Sequence, residues 1–106
     1  MTPDKFKKYS EKFIKKNMDI LYSKSEQYSP LDVFSNFQQG ANIVEEEKER
    51  VLFLYMLKHL VFIAGFFKPD KYIYKENVAK IQESIGDVIN YMIILSAMLK
   101  EKYNGQ

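Results

Sequence analysis

KENVAKIQESIGDVINYMIILSAMLKEK, residues 75–102, places Val78, Ile81, Ile85, Val88, Met92, Leu95 and Leu99 three and four apart without a miss. That alternation is the seam of a helix in a bundle, and no strand can hold it, because a strand repeats every second residue. On the opposite side lie Glu83, Asp87 and Asn90, followed by Ile94 and Met98. The three polar residues suit a solvated face. The two apolar ones, with Ile93 and Ala97, make the C-terminal half apolar almost all round. Such a helix needs a second burying surface, and a homo-oligomer formed through this last helix is the expectation.

Working back from there, residues 45–50 (EEEKER) read as an acidic helix start, and Val51 to Phe67 as a helix apolar nearly all round, the pattern of a central, buried helix. Lys68-Pro69-Asp70 closes it. Residues 71–77 (KYIYKEN) read as a loop, with a short extended piece through Tyr72 and Tyr74 as the alternative. At the other end, Thr2-Pro3-Asp4 supplies a capping hydroxyl, a proline at the first helical position and an acid in the first turn. Phe6, Tyr9, Phe13 and Ile20 then recur at helical spacing, with Ile14 and Leu21, to about Gln27. Between the two, Ser29-Pro30-Leu31-Asp32 repeats the start signal for a short helix with Leu31, Phe34 and Phe37 inward, ended by Gly40. The fold class is therefore all-α: a single domain over residues 1–106, built as a helical bundle of three long helices and one short one.

Composition narrows the function classes. The chain is 46% apolar and 28% charged, the balance of a globular protein rather than a disordered one. It has no cysteine, which excludes a disulfide scaffold and thiolate chemistry and fits a cytoplasmic setting. Lys58 and His59 interrupt the longest apolar run, so a membrane span is not expected, and MTPDKFKKYS lacks the apolar core of a secretory signal. A net charge of +2 with Arg50 as the single arginine makes nucleic acid an unlikely partner. Lys5, Lys8, Lys12 and Lys15 line one face of the first helix, read either as a solvated face or as an anion-attracting patch.

Three groups of residues can carry chemistry. Lys58 and His59 are the only basic or acidic side chains, tyrosine aside, between Val51 and Phe67, where an unpaired charge costs several kcal/mol. They form an ion pair or snorkel to water, or Lys58 faces an anionic ligand; a lone histidine is more often a satisfied core residue than a metal ligand. Glu83 and Asp87 stand four apart on one helix side and Glu46 and Glu49 three apart on another, so facing carboxylate pairs could hold Mg²⁺ and a polyphosphate. Tyr28, Asp32 and Asn36 repeat every four residues and offer a ring, an acceptor and an amide along one ridge, as a base or ribose requires. A capping Asp and an Asn at a bend look the same in sequence.

KSEQYSPLDVFSNF, LKHL and ESIGDVINY together resemble the phage family known as the nucleotide-modification-associated domain, type 1, over about residues 20–100. The matching positions are Lys24, Tyr28, Asp32, Phe34, Asn36, Phe37, Lys58, Glu83, Asp87 and Tyr91. The resemblance implies a phage or prophage setting, in the cytoplasm of an infected or lysogenic bacterial host, and a link to nucleotides. It departs at Val61, Phe62 and Ile63, where such proteins tend to carry an arginine. A fainter similarity is to the MazG-like all-α pyrophosphohydrolases, which pair E-x-x-E and E-x-x-D helices around Mg²⁺. Glu49, Glu83 and Asp87 would be the ligands, but Ser84 stands where the second motif needs its glutamate.

The expected function is accordingly nucleotide binding without turnover, holding or sequestering a nucleotide or nucleotide-derived signal, with an anti-defence role in the phage setting. The ligand-binding residues would be Lys24, Tyr28, Asp32, Asn36, Phe37, Lys58, His59 and Tyr91. No cofactor is expected; Mg²⁺ enters only under the alternative of a pyrophosphohydrolase, and a non-catalytic interaction bundle is the third reading.

Overall fold

A computed structural model of the chain describes residues 1–28 and 32–104. Four helices account for nearly all of it: α1 (Pro3–Tyr28), α2 (Ser35–Val44), α3 (Lys48–Ala64) and α4 (Lys75–Asn104), with no strand among the described residues. The molecule is an all-α helical bundle, as the spacing predicts. None of its described helices is long and apolar enough to cross a membrane.

α3 and α4 form the central pair. α2 packs on α3 and α1 on α4. The start of α1 follows the sequence reading, with Thr2 Oγ1 accepting the Lys5 N–H at 3.2 Å. The two ends of the central pair are tied by Lys102, which donates to Glu47 Oε2 at 3.0 Å. That bond, ahead of the Lys102 charge itself, holds the Glu47 carboxyl below its ordinary range; the same bond raises Lys102. Both groups sit in solvent, so the pair sets helix register more than it adds stability.

The start signal at Ser29-Pro30-Leu31 lies outside the described residues. What is described begins with Asp32, whose Oδ1 accepts the Phe34 N–H at 2.9 Å and whose carbonyl accepts both the Ser35 N–H and the Ser35 hydroxyl. That turn opens α2 at Ser35. Gly40 does not end the helix, contrary to expectation; it lies within α2, facing α3. The terminator is Glu45, in the left-handed region at φ 56°. Its N–H and that of Glu46 reach back to the Ala41 carbonyl, a cap usually given to glycine. Glu45→Gly should therefore stabilise the chain by about 0.5–1 kcal/mol, seen as a raised Tm, because the Cβ penalty disappears.

Three further expectations need correction. α3 ends at Ala64, not Phe67, and it is not buried all round: Val51, Leu52 and Met56 are buried, while Phe53, Leu54, Leu57, Leu60 and Val61 are exposed. A helix with neighbours on two sides cannot bury a full circumference. On α4 the core draws on both faces, and only part of the seam turns inward. The core takes Gly86, Asn90 and Met98, with Ile94 packed against it; of the seam, Ile81 is buried and Leu95 packs against the core, whereas Val78, Ile85, Met92 and Leu99 are exposed. On α1, Phe6, Tyr9 and Ile14 are exposed, because this helix meets α4 through a line centred on Asn17.

The core itself is small. Phe34, Leu52 and Met98 form its centre, with Phe37, Tyr91, Ile94 and Leu95 packed round them. Between α1 and α4 the contact is polar and close. Asn90 Nδ2 donates to the Asn17 carbonyl at 3.0 Å, Asn17 Nδ2 donates to the Phe13 carbonyl at 2.8 Å, and Gly86 lies directly under the Asn17 amide.

Candidate functional site

The bundle leaves a cleft of about 340 Å³ between its four helices. α1 contributes Lys24, the start of α2 contributes Asn36 and Phe37, α3 contributes His59, and α4 contributes Asp87, Asn90, Tyr91 and Ile94. The volume lies at the small end of the range for ligand pockets. Its chemistry is mixed: a cation, two amides, an imidazole, a carboxylate and two aromatic rings.

The His59 imidazole Nδ1 lies 3.6 Å from Asp87 Oδ2, an ion pair when the ring is protonated, and its ring stands 5.5 Å from that of Tyr91. Phe37 meets Tyr91 edge to face at 6.4 Å and Tyr55 at 5.9 Å, so the aromatic wall is braced from two sides. Burial raises the Tyr91 phenol above its ordinary range, with the Asp87 carboxylate adding to the effect, so at neutral pH the hydroxyl stays a donor. Asn90 is buried, and with its Nδ2 given to Asn17 its Oδ1 has no hydrogen-bond partner among the described residues. An acceptor left in that condition costs about 1–3 kcal/mol.

A second groove, of about 540 Å³, runs beside the first between α1 and α4 and shares Lys24 and Asp87 with it. Its α1 side carries Tyr9, Lys12, Phe13 and Lys16, and its α4 side Gln82 and Glu83. The lysine face of α1 is thus divided. Lys8 pairs with Asp4 at 3.4 Å and Lys15 with Asp19 at 3.1 Å in solvent, whereas Lys12 turns into the groove.

Of the residues expected to bind a ligand, Lys24, Asn36, Phe37, His59 and Tyr91 share the cleft. Asp32 does not line it, since its carboxylate serves the turn before α2. Lys58 points elsewhere, its ammonium 5.8 Å from the Tyr55 ring centre on an exposed stretch of α3. Tyr28 closes α1, and its stacking role falls outside the described residues. The carboxylates do not assemble into a metal centre either. Asp87 and Glu83 border the α1–α4 groove, but Glu49 sits at the other end of the bundle, 3.6 Å from Lys48 and 3.9 Å from Lys102. Lys102 is about 22 Å along α4 from Asp87. Among the described residues no three Asp, Glu or His side chains gather to hold an ion.

Asn90 was missed by the sequence reading, which assigned it to a solvated face. The available signal was Gly86 four residues before it: a small residue and an amide on one helix ridge mark a close helix approach. Asn17, four residues from both Phe13 and Leu21, is the matching sign on α1.

Fold and site together define an all-α protein with a polar, aromatic-walled cleft at the meeting of four helices. No family model matches the chain, nor does any curated protein or solved structure.

Proposed function

We propose that this chain binds a nucleotide or nucleotide-derived small molecule in the cleft between its four helices and holds it without turnover. The observation that carries the reading is the convergence of Lys24, Asn36, Phe37, His59, Asp87 and Tyr91, drawn from every helix, on one cleft. Phe37 and Tyr91 offer ring faces and edges to a base. Asn36, Asp87 and the unpartnered Asn90 Oδ1 offer the acceptors and donors that its edge or a ribose needs. Lys24 stands where the cleft meets the lysine-bearing groove, so Lys12 and Lys16 extend a path for phosphate. The phage setting and the sequestering of a host signal rest on the motif resemblance, and the binding itself on the cleft.

Calorimetric titration with nucleoside mono-, di- and triphosphates, dinucleotides and cyclic nucleotides tests this, followed by denaturation and identification of the released ligand. One intact ligand per chain is expected. Lys24→Ala and His59→Ala should each weaken binding about 10-fold, or about 1.4 kcal/mol. Lys58→Ala should leave it unchanged. A panel without a binder ends the reading, and a cleaved product that appears only with Mg²⁺ replaces it with hydrolysis.

A further inference from the structure

Among the described residues, the central helix pair is covered on one side and largely bare on the other. α2 lies over Val51 and Tyr55 of α3, and α1 over Gly86 and Asn90 of α4. At about 100° per residue, the positions half a turn round are Phe53, Leu57 and Leu60 on α3 and Val88, Met92 and Leu99 on α4, while Leu95 and Ile81 on the same side of α4 are covered by the chain itself. Phe53 is 48% exposed, Leu57 39%, Met92 53% and Leu99 43%. Apart from Tyr91, no side chain from Val88 to Leu99 ionises, and the only ionisable groups between Val51 and Ala64, Tyr55, Lys58 and His59, do not lie on this face. Shallow apolar hollows of about 450 and 410 Å³ border it, one at Phe53, Leu54 and Leu95 and one at Val88, Met92 and Ile93. Glu46 and Arg50, paired at 3.6 Å, form a charged rim.

The whole chain shows the same deficit. It exposes 8380 Å² for a mass of 12.6 kDa, where a monomeric protein of that mass exposes about 6200 Å². Its radius of gyration is 16.2 Å, against about 13 Å for a compact domain of this length. The first turns of α1, exposed on all sides, account for part of the excess. The total excess, about 2200 Å², is larger than the about 800 Å² that a stable interface takes from each partner.

We infer that a second copy of this chain covers this face. The two α3–α4 pairs then pack back to back as a four-helix layer, with α1, α2 and the cleft of each copy outermost. The occupant is a copy rather than a different protein because the stripe is uncharged and repeats three and four apart, so it is complementary to itself. Met92, near the middle of the exposed stripe, lies by the two-fold axis. The uncovered part of the seam, half-buried Val88 with exposed Met92 and Leu99, is thus intermolecular, on the other side of α4 from Ile94 and Met98. Folding and association are coupled, so Tm rises with protein concentration.

Sedimentation equilibrium on the full chain should give twice the 12.6 kDa mass. Met92→Lys should raise the dimer dissociation constant at least about 100-fold while the helical circular-dichroism signal persists, since it places an unpaired ammonium in the seam. A wild-type monomer at hundred-micromolar concentration, or a Met92→Lys chain that dimerises as before, overturns the inference. If Met92→Lys unfolds the chain, Met92→Cys decides, because no other cysteine is present. Oxidation to a covalent dimer supports the back-to-back pairing, and failure to cross-link overturns it.

Discussion

Gly86→Ala should lower stability by about 2–3 kcal/mol, seen as a fall in Tm and in the urea midpoint. A methyl group at this position would lie 2.1 Å from Asn17 Oδ1 and 2.7 Å from its Cγ, well inside contact distance. The Asn17 side chain cannot swing aside freely. It is buried, and its amide is committed to the Phe13 carbonyl. Either that bond breaks, or α1 lifts from α4 and the Asn90 bond to the Asn17 carbonyl goes with it. The mechanism has its own control. In Gly86→Ala with Asn17→Ala the obstructing atoms are gone, so the double variant should be more stable than Gly86→Ala alone, a coupling the single substitutions do not show. Equal or worse stability of the double variant would mean that glycine is required for some other reason. Because α1 carries Lys24, Gly86→Ala should also weaken ligand binding in the cleft.

Leu52→Ala should cost about 3 kcal/mol or more. Leu52 is fully buried between Phe34 and Met98, and these three residues are the centre of the core. Truncation removes the apolar contact and leaves a cavity that so small a core cannot close. Tyr22→Ala, on an exposed side chain of α1, should stay within about 0.5 kcal/mol. The same cluster supports Phe37 and Tyr91, so Leu52→Ala should loosen the aromatic wall and weaken binding without touching a ligand. Urea unfolding and the titration described above read the two effects separately.

Local signals were the most legible. Thr2 caps α1 as its chemistry demands, the last helix begins at Lys75 as read, and the loop before it is a loop. These depend on neighbours in sequence, and capping or periodicity reports such neighbours directly. Gly40 shows where that logic weakens: a glycine stops a helix only when the chain must turn left-handed, and here Glu45 makes the turn. Of the site, Lys24, Asn36, Phe37, His59 and Tyr91 were legible as candidates and share one cleft. Asp32 and Lys58 were not separable from them by spacing, since a capping carboxylate and a surface lysine have the same sequence signature as a ligand-binding pair.

The sequence by itself determined an all-α chain, the approximate extent of its three long helices and the presence of two faces on the last one. The three-four repeat is local and admits only a helix. Only the tertiary structure decided which face of α4 turns inward. Periodicity is blind to sign: a seam facing the core of its own chain and one facing solvent carry the same spacing. The choice was made by contacts distant in sequence, Gly86 and Asn90 against Asn17 and Met98 against Leu52 and Phe34. The same contacts bring His59 to Asp87 and Lys24 to the cleft mouth, and in doing so they leave Val78, Ile85, Met92 and Leu99 of the regular stripe outside while Ile81 and Leu95 are covered.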